Sequence, residues 1–183
     1  MKFNKKNYLS FLLIILFAFI TSCNSTKTMK PEDFKNKEPR LIIEDYLTGD
    51  VKAWGVLQNR SGKVTRQFSA DLNGTWDGKQ LILKEKFNWD DGEIQNREWT
   101  ITKIDEHNYE GTAGDVIGKA IGYSYGPAFK FEYVLLVPVK GKEMKITFDD
   151  WIFKQDEKVA INRATMTKFG FKVAELTVVF IKD

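Results

Sequence analysis

The amino-acid sequence predicts an all-β fold: one antiparallel barrel of about eight to ten strands, with a single short helix near its N-terminus. Two observations lead to this prediction. From about residue 41 the chain alternates apolar and polar residues in short segments, and no helical pattern intervenes between them. Turn signals that contain glycine separate the segments, at Ser61-Gly62, Asp77-Gly78, Asp91-Gly92, Lys140-Gly141 and Phe169-Gly170.

The first element along the chain is a signal peptide. Residues 1–22 begin with Lys2, Lys5 and Lys6, and an unbroken run of ten apolar residues follows at 11–20. The run is well short of the ~20 residues that a membrane-spanning helix needs. A short transmembrane anchor and an ordinary secretory signal are the alternatives to a lipoprotein signal.

The end of this segment resembles the bacterial lipobox. Ile20 to Cys23 has the pattern in which the cysteine is acylated and becomes the mature N-terminus. We therefore predict lipidation of Cys23, which would hold the protein on a membrane. The polar residues that follow predict a flexible tether over 23–40. Asn24 stands where an aspartate would retain a lipoprotein at the inner membrane, which favours the outer membrane, facing the periplasm.

Composition excludes several classes of function. Three of the 28 basic residues lie in residues 1–22, which contain no acid, so the remainder carries 25 basic and 25 acidic residues. This balance argues against nucleic-acid binding despite the high isoelectric point. One cysteine and one histidine exclude a disulfide scaffold and a multi-Cys/His metal site. We expect no cofactor and no metal.

The barrel domain is predicted over residues 41–183. It begins with a short helix at 41–47, where apolar residues recur at helical spacing, and Gly49 ends it. Beyond it, tight turns set the strand register, and the apolar rows of neighbouring strands then coincide on one inner face. The predicted cross-strand pairs are Phe68–Phe87, Leu72–Leu83, Leu83–Trp99, Leu81–Ile101, Val137–Met144, Leu135–Ile146 and Tyr133–Phe148.

Charged residues interrupt the inward-facing rows. Glu85 lies in one such row with Arg97 placed opposite it, and Arg66 is placed opposite Trp89. Asp150 lies in another row. Charges on an inner face must be paired or hydrated. They are either structural ion pairs at the barrel ends or a polar patch inside a ligand cavity.

The register leaves the neighbour of Asp150 open between Asn162 and Arg163, because the turn near Asp156 is not defined by the sequence. If the inner face is a cavity, the charged residues would orient the polar part of a ligand and the aromatic residues would line the apolar part. The predicted ligand-binding residues are Glu85, Arg97, Arg66, Asp150, Arg163, Trp89, Trp99, Phe68 and Phe87.

A glycine repeat marks the middle of the chain. Gly114, Gly118, Gly122 and Gly126 recur every four residues, and in a strand they would share one nearly bare face. Either Trp99 of a neighbouring strand covers this face, or a ligand occupies the space.

Short motifs along the chain resemble a known family. They are Trp54-Gly55, Gly74-Thr75-Trp76-Asp77-Gly78, Leu81-x-Leu83-x-Glu85-x-Phe87, Asp91-Gly92-Glu93, Tyr109-Glu110-Gly111-Thr112-Ala113, Asp149-Asp150-Trp151 and Asn162-Arg163-Ala164-Thr165. In this order they resemble the bacterial lipoprotein family known as domain of unknown function thirty-eight thirty-three, over nearly all of residues 41–183. The resemblance implies an envelope lipoprotein, with no established activity and no catalytic residues.

A second, looser resemblance is to lipocalins. A short helix that leads into Gly49 and then Trp54 is similar to the start of their first strand, where a tryptophan plugs the barrel base. An arginine late in that family often covers this tryptophan, and Arg163 is the candidate here. The resemblance implies a lipocalin-like, or calycin-like, barrel.

These observations lead to three functional hypotheses. The first is a membrane-anchored envelope lipoprotein whose barrel binds a small hydrophobic or amphipathic ligand. The second is a solid-core barrel with a structural or interaction role, which an apolar strip outside the barrel, such as one including Trp151 and Phe153, would favour. The third is an enzyme that uses an interior carboxylate, Asp150 or Glu85, which a raised carboxyl pKa in an open pocket would favour.

Overall fold

The fold was analysed in a computed structural model, which describes residues 28–139 and 141–182. The predicted signal peptide and the predicted lipidation site Cys23 lie outside the described residues. Ten antiparallel strands close into one barrel, in which each strand pairs with its neighbours in the chain and β10 pairs with β1. The predicted all-β barrel is confirmed.

The elements are short and regular. A 3₁₀ helix spans Pro31–Phe34 and a helix, α1, spans Ile43–Leu47. The strands are β1 Gly49–Asn59, β2 Val64–Trp76, β3 Gln80–Trp89, β4 Ile94–Lys103, β5 Asn108–Ala113, β6 Ala120–Tyr125, β7 Ala128–Val139, β8 Lys142–Lys154, β9 Val159–Lys168 and β10 Phe171–Lys182.

Alternation of apolar and polar residues produces the barrel, because successive side chains of a strand point to opposite faces. In β2, for example, Phe68, Ala70 and Leu72 are buried while the residues between them are exposed. The inward residues of all the strands form one core, with aromatic rings from β7 at its centre.

The predicted registers of two hairpins are confirmed. Glu85 lies opposite Arg97 in the β3–β4 pair, and Tyr133 lies opposite Phe148 in the β7–β8 pair. The predicted register of the β2–β3 hairpin is wrong by two residues. Phe68 lies opposite Trp89 rather than Phe87, and the tight turn is centred one residue later than predicted.

The side chain of Asp77 explains this shift. Its Oδ1 accepts hydrogen bonds from the backbone N–H groups of Lys79 (2.8 Å) and Gln80 (2.7 Å), and its own N–H donates to the carbonyl of Gln80. The central turn residues are therefore Gly78 and Lys79, and Gly78 has a φ of +98°. A shift of two residues keeps the same side chains inside, so alternation alone does not distinguish the two registers.

Helix α1 closes one end of the barrel, which we call the closed end. Ile43, Tyr46 and Leu47 are buried in the core, and the Tyr46 hydroxyl donates to the carbonyl of Lys158 at 2.9 Å. The Nζ of Lys182 donates to three carbonyls at the C-terminal end of α1, where the helix dipole favours a cation. The helix is therefore part of the barrel base.

A buried ion pair also holds α1 in place. Glu44 is almost fully buried and contacts the Nζ of Lys103, and its Oε2 accepts a hydrogen bond from the Tyr109 hydroxyl at 2.9 Å. Burial and the neighbouring carboxylate raise the pKa of Tyr109. Both carboxylate oxygens have partners, as burial of a charge requires.

The segment before α1 is not a free tether where it is described. Phe34 packs on Trp151 and Phe153, with ring centroids 5.9 and 5.5 Å apart, on the outer wall of β8. The N–H of Leu41 donates to the carbonyl of Gly126 at 2.8 Å. The expected flexible tether over 23–40 is therefore corrected for residues 31–40, because Phe34 packs on an apolar strip of the wall.

Two further expectations are corrected. Trp54 does not plug the barrel base, because it points outward and is 48% exposed. The glycine repeat is not one strand, because Gly114 and Gly118 lie in the loop between β5 and β6. Gly122 does lie on an inner face, where a side chain would sit 2.9 Å from the ring of Phe129. An aromatic ring of β7, rather than Trp99, fills that space.

Candidate functional site

The barrel interior contains a chamber of about 110 Å³. Its walls are mostly apolar, and α1 forms part of its floor. Four titratable side chains face it among the apolar ones, and a fifth polar group, Asn162, adds an amide. The lining residues on the polar side are Glu85, Arg97, Tyr133, Asp150 and Asn162.

A wider cleft of about 840 Å³ lies at the opposite end, which we call the open end. It is lined by residues from β2, β3, β4, β7 and the β5–β6 loop. Chamber and cleft share wall residues, so the two spaces adjoin each other. The shared residues are Phe68, Phe87, Arg97, Tyr133 and Leu176.

The loop between β5 and β6 completes the wall at the open end. Strands β5 and β6 are short, so the outer halves of β4 and β7 have no strand between them. The loop fills this gap: Ile117 N–H donates to the carbonyl of Val134, and Leu136 N–H donates to the carbonyl of Asp115. This loop also carries the Asp115 carboxylate to the rim of the cleft.

Arg97 is held mainly by Asp115. Its Nε donates to Asp115 Oδ1 at 3.2 Å and its Nη2 to Oδ2 at 2.7 Å, a bidentate arrangement, whereas its Nη1 lies 3.9 Å from Glu85 Oε2. Burial lowers the pKa of Arg97, but the neighbouring carboxylates outweigh it and leave the pKa raised. The guanidinium is therefore charged and largely satisfied.

Glu85 is only partly satisfied. Its Oε2 is buried and has no hydrogen-bond partner among the described residues. Burial raises the pKa of Glu85 to about 7; the Arg97 charge opposes this rise, and the charges of Asp150 and Asp115 add to it. This carboxyl group changes its charge near neutral pH.

Asp150 lies on the other side of the chamber. Its Oδ2 accepts a hydrogen bond from the Tyr133 hydroxyl at 3.0 Å, and its Oδ1 accepts one from the amide of Asn162. Burial raises the pKa of Asp150 to about 6, although these two hydrogen bonds oppose the rise. Burial beside this carboxylate also raises the pKa of Tyr133 well above its ordinary value.

Aromatic rings lie where the chamber and the cleft adjoin. Phe68 packs edge-on against Phe87 and Trp89, with centroids 5.2 and 4.9 Å apart. The guanidinium of Arg66 lies 4.0 Å from the ring centre of Trp89 and pairs with Asp91 at 2.7 Å and with Glu93. Because of the register shift, Arg66 reaches the β3–β4 turn rather than lying opposite Trp89.

The structure brings eight of the nine predicted ligand-binding residues to this space. Phe68, Glu85, Phe87, Arg97, Trp99 and Asp150 line the chamber, and Arg66 and Trp89 line the cleft. Arg163 does not: it points outward, its side chain is 68% exposed, and it lies 3.8 Å from Glu175. Asn162 takes the inward position, which resolves the alternative that the sequence left open.

Sequence reasoning missed three polar members of the site. The predicted β7–β8 register already places Tyr133 on the inner face, so the sequence contained enough information to assign its hydroxyl to the site. Asn162 was one of two alternatives. Asp115 lies in an irregular loop, where no periodic pattern reports the direction of a side chain.

Two searches of the described residues had negative results. Within 28–139 and 141–182, no group of three or more histidine, cysteine, aspartate or glutamate residues is arranged to hold a metal ion. None of the helices described in those ranges is long and apolar enough to cross a membrane.

Comparison with solved structures identifies barrels of the same shape. The chain is similar to an S-type phycobiliprotein lyase from Guillardia theta, with a TM-score of 0.58, 9% identity and coverage of 76% of this chain and 90% of that one. It is also similar to a protein of unknown function from Nostoc punctiforme, with a TM-score of 0.60, 15% identity and coverage of 80% of this chain and 51% of that one. These likenesses establish the lipocalin-like barrel fold.

Comparison at the sequence level is more specific. No curated protein matches the chain. The sequence pattern of one family matches residues 17–182, nearly the whole chain. The chain therefore belongs to the family described as Protein of unknown function (DUF3833).

Proposed function

We propose that this protein is a lipid-anchored lipoprotein of the cell envelope whose barrel binds a small hydrophobic or amphipathic ligand. The observation that carries the binding role is an apolar chamber that adjoins an open cleft, with polar side chains on the wall that they share. Ligand sites are typically concave, largely apolar and equipped with a few polar groups that orient the ligand.

The volumes set the size of the ligand. A cavity of ~150 Å³ holds a benzene molecule, so the chamber of about 110 Å³ accepts only a short apolar group. The cleft of about 840 Å³ lies within the range of ligand pockets. A ligand would therefore insert one end into the chamber, pass the polar side chains of the shared wall and keep most of its bulk in the cleft.

The fold comparison supports this proposal in a limited way. A barrel of this shape occurs in a protein named as a phycobiliprotein lyase, so the architecture is compatible with action on a partner molecule. At 9% identity the likeness carries no ligand across to this chain.

The membrane association rests on the N-terminal sequence. The lipobox-like Ile20 to Cys23 and Asn24 favour an acyl anchor in the outer membrane, facing the periplasm. The hairpin tip between β9 and β10 adds an exposed apolar pair, Phe169 at 88% and Phe171 at 73% exposure. Lys168 and Lys172 flank this pair, a combination that suits a lipid headgroup region.

Native mass spectrometry tests the binding role. The chain from residue 24 onward, which contains the whole described fold, is incubated with extracted envelope lipids. We expect a retained, displaceable molecule, and we expect Glu85→Gln/Arg97→Gln to lose it. Lys52→Gln/Asp71→Asn removes an ion pair from the outer face of neighbouring strands and serves as the matched control. Equal retention by all three proteins would refute the assigned site.

The anchor is tested separately, in a Gram-negative host supplied with a clickable fatty acid. We expect the full chain to incorporate the label and to fractionate with the outer membrane. Cys23→Ser should lose the label and remain with its signal uncleaved. Incorporation of label by Cys23→Ser would contradict the lipobox assignment.

A second candidate function is catalysis by an interior carboxyl group. The observation that favours it is the raised pKa of Glu85, about 7, inside a space that opens to solvent. No serine, threonine, cysteine, histidine or lysine lines the chamber, so this group would act as an acid or base without an adjacent nucleophile. A bound molecule whose mass changes over time with the wild type, but not with Glu85→Gln, would establish this alternative.

The solid-core alternative has less support. The barrel interior contains a chamber of about 110 Å³, and the outer strip of Trp151 and Phe153 is covered by Phe34 of the same chain rather than left for a partner.

A further inference from the structure

We infer that the ligand carries a positively charged polar end, an amine or ammonium group, and that Glu85 and Asp150 receive it inside the barrel. This inference rests on the proposed ligand-binding function and names the chemical class that the same site selects. Three independent features of the described residues support it.

The first feature is the charge of the lining. Five acidic residues line the chamber and cleft but only two basic ones, and no lysine does. Walls of low dielectric strengthen the field of such a surplus, and the field attracts cations and repels anions. The acidic residues are Glu85, Glu93, Asp115, Asp150 and, at the edge of the cleft on the outer face of β4 beside Lys84, Glu98; the basic ones are Arg66 and Arg97.

The second feature is that both arginines already form ion pairs with carboxylates of the protein, although Arg66 Nε has no hydrogen-bond partner among the described residues. Arg97 makes its bidentate contact with Asp115, and Arg66 pairs with Asp91 and with Glu93. An anionic ligand would therefore have to compete with carboxylates of the protein for the charge of either guanidinium. No free cation is offered by the residues that line these two spaces.

The third feature is the unsatisfied acceptor. Glu85 Oε2 is buried with no hydrogen-bond donor among the described residues, and Arg97 Nη1 is 3.9 Å away, beyond hydrogen-bond distance. A buried carboxylate oxygen without a donor is costly. A ligand N–H would supply that donor and a compensating charge together, in a charge-assisted hydrogen bond.

The surroundings suit an organic cation in particular. Aromatic rings of Phe68, Phe87 and Trp99 line the chamber beside Glu85. The faces of such rings attract cations, and ammonium recognition commonly combines aromatic faces with carboxylates. An inorganic cation would gain little here, because the cluster lacks the several convergent oxygen ligands that it prefers.

Three probes with one chain and different polar ends test the inference. Decylammonium, decanoate and 1-decanol are titrated into the chain from residue 24 onward, and binding is followed by tryptophan fluorescence and by calorimetry. We expect decylammonium to bind at least about tenfold more tightly than the other two. Glu85→Gln and Asp150→Asn should each remove most of this preference while leaving the affinity for 1-decanol nearly unchanged.

Asp71→Asn, on the exposed outer face of β2, is the control and should keep the preference. Far-UV circular dichroism establishes that each variant folds. If Glu85→Gln does not fold, Asp150→Asn decides the question, because its amide preserves the shape of the carboxyl group.

The outcomes separate this inference from the proposed function. If decanoate or 1-decanol binds as tightly as decylammonium, the barrel binds amphiphiles but the charge assignment is overturned. If the preference persists in both interior variants, Glu85 and Asp150 are not the receiving groups, and the inference is again overturned. If none of the probes binds and no envelope lipid is retained, both the inference and the proposed binding function fail.

Discussion

Replacing Glu85 by glutamine should change how the stability of this protein depends on pH. Glutamine has nearly the same shape as a protonated glutamate but does not titrate. In the folded protein burial raises the pKa of Glu85 from 4.5 to about 7, so between these values the folded state binds a proton that the unfolded state has released. The stability that Glu85 contributes is therefore complete below about pH 4.5 and is lost as the pH rises through about 7.

The size of the effect follows from the two pKa values. Each tenfold change in proton affinity corresponds to about 1.4 kcal/mol, so a rise from 4.5 to about 7 corresponds to about 3 kcal/mol. Relative to the wild type, Glu85→Gln should gain about 3 kcal/mol in free energy of unfolding between about pH 4.5 and pH 8. Because the pKa of Asp150 is raised to about 6, this residue also makes the free energy of unfolding fall with rising pH. It does so in both the wild type and Glu85→Gln.

Urea denaturation followed by tryptophan fluorescence, at a series of pH values, measures this difference. Asp71→Asn, the control, removes a carboxylate from the outer face. The difference in free energy of unfolding between this variant and the wild type should not change with pH over the same range. A difference between Glu85→Gln and the wild type that stays constant between about pH 5 and 8 would show that Glu85 is not the buried titrating group.

Three further variants test how the barrel is held together, each by urea or thermal denaturation. Gly74→Ala should lower the free energy of unfolding by more than about 2 kcal/mol, because the new Cβ would lie 1.9 Å from a backbone oxygen at the end of α1. The control is Gly114→Ala, which has open space around it and should change the free energy of unfolding little. Phe34→Ala should lower the free energy of unfolding by about 2 kcal/mol and shift the fluorescence emission of Trp151 to longer wavelength, since it uncovers that ring. An unchanged emission spectrum would contradict the packing of Phe34 on Trp151. Glu44→Ala should cost about 3 kcal/mol by leaving buried partners without their acceptor, and a cost below about 1 kcal/mol would contradict the role of that ion pair.

Much of the barrel was predictable because tight turns and alternation both act over short distances. The Asp91-Gly92 turn and the turn before β8 define their hairpins correctly, so Glu85 was placed opposite Arg97. The Asp77-Gly78 turn was placed one residue early. Its two possible registers bury the same side chains, and only the hydrogen bonds of the Asp77 carboxylate distinguish them.

The outer wall was harder to predict than the interior. Trp151 and Phe153 alternate with inward residues and predict an exposed apolar strip, yet Phe34 covers them from more than a hundred residues away in sequence. The exposed position of Trp54 has a similar cause. The alternation of side chains along β1 places Trp54 on the outer face. The resemblance to lipocalins around this residue does not change which face it occupies.

By itself the sequence determined the fold class, the inward position of Glu85, Arg97 and Asp150, and the family to which the chain belongs. These properties follow from local rules: alternation, turn chemistry and ordered motifs. Only the tertiary structure decided that Asp115 forms the ion pair with Arg97, that Asn162 rather than Arg163 faces Asp150, and that a chamber adjoins the cleft. These features depend on the direction of an irregular loop and on how large side chains from distant strands fill the barrel, and no local pattern encodes either of them.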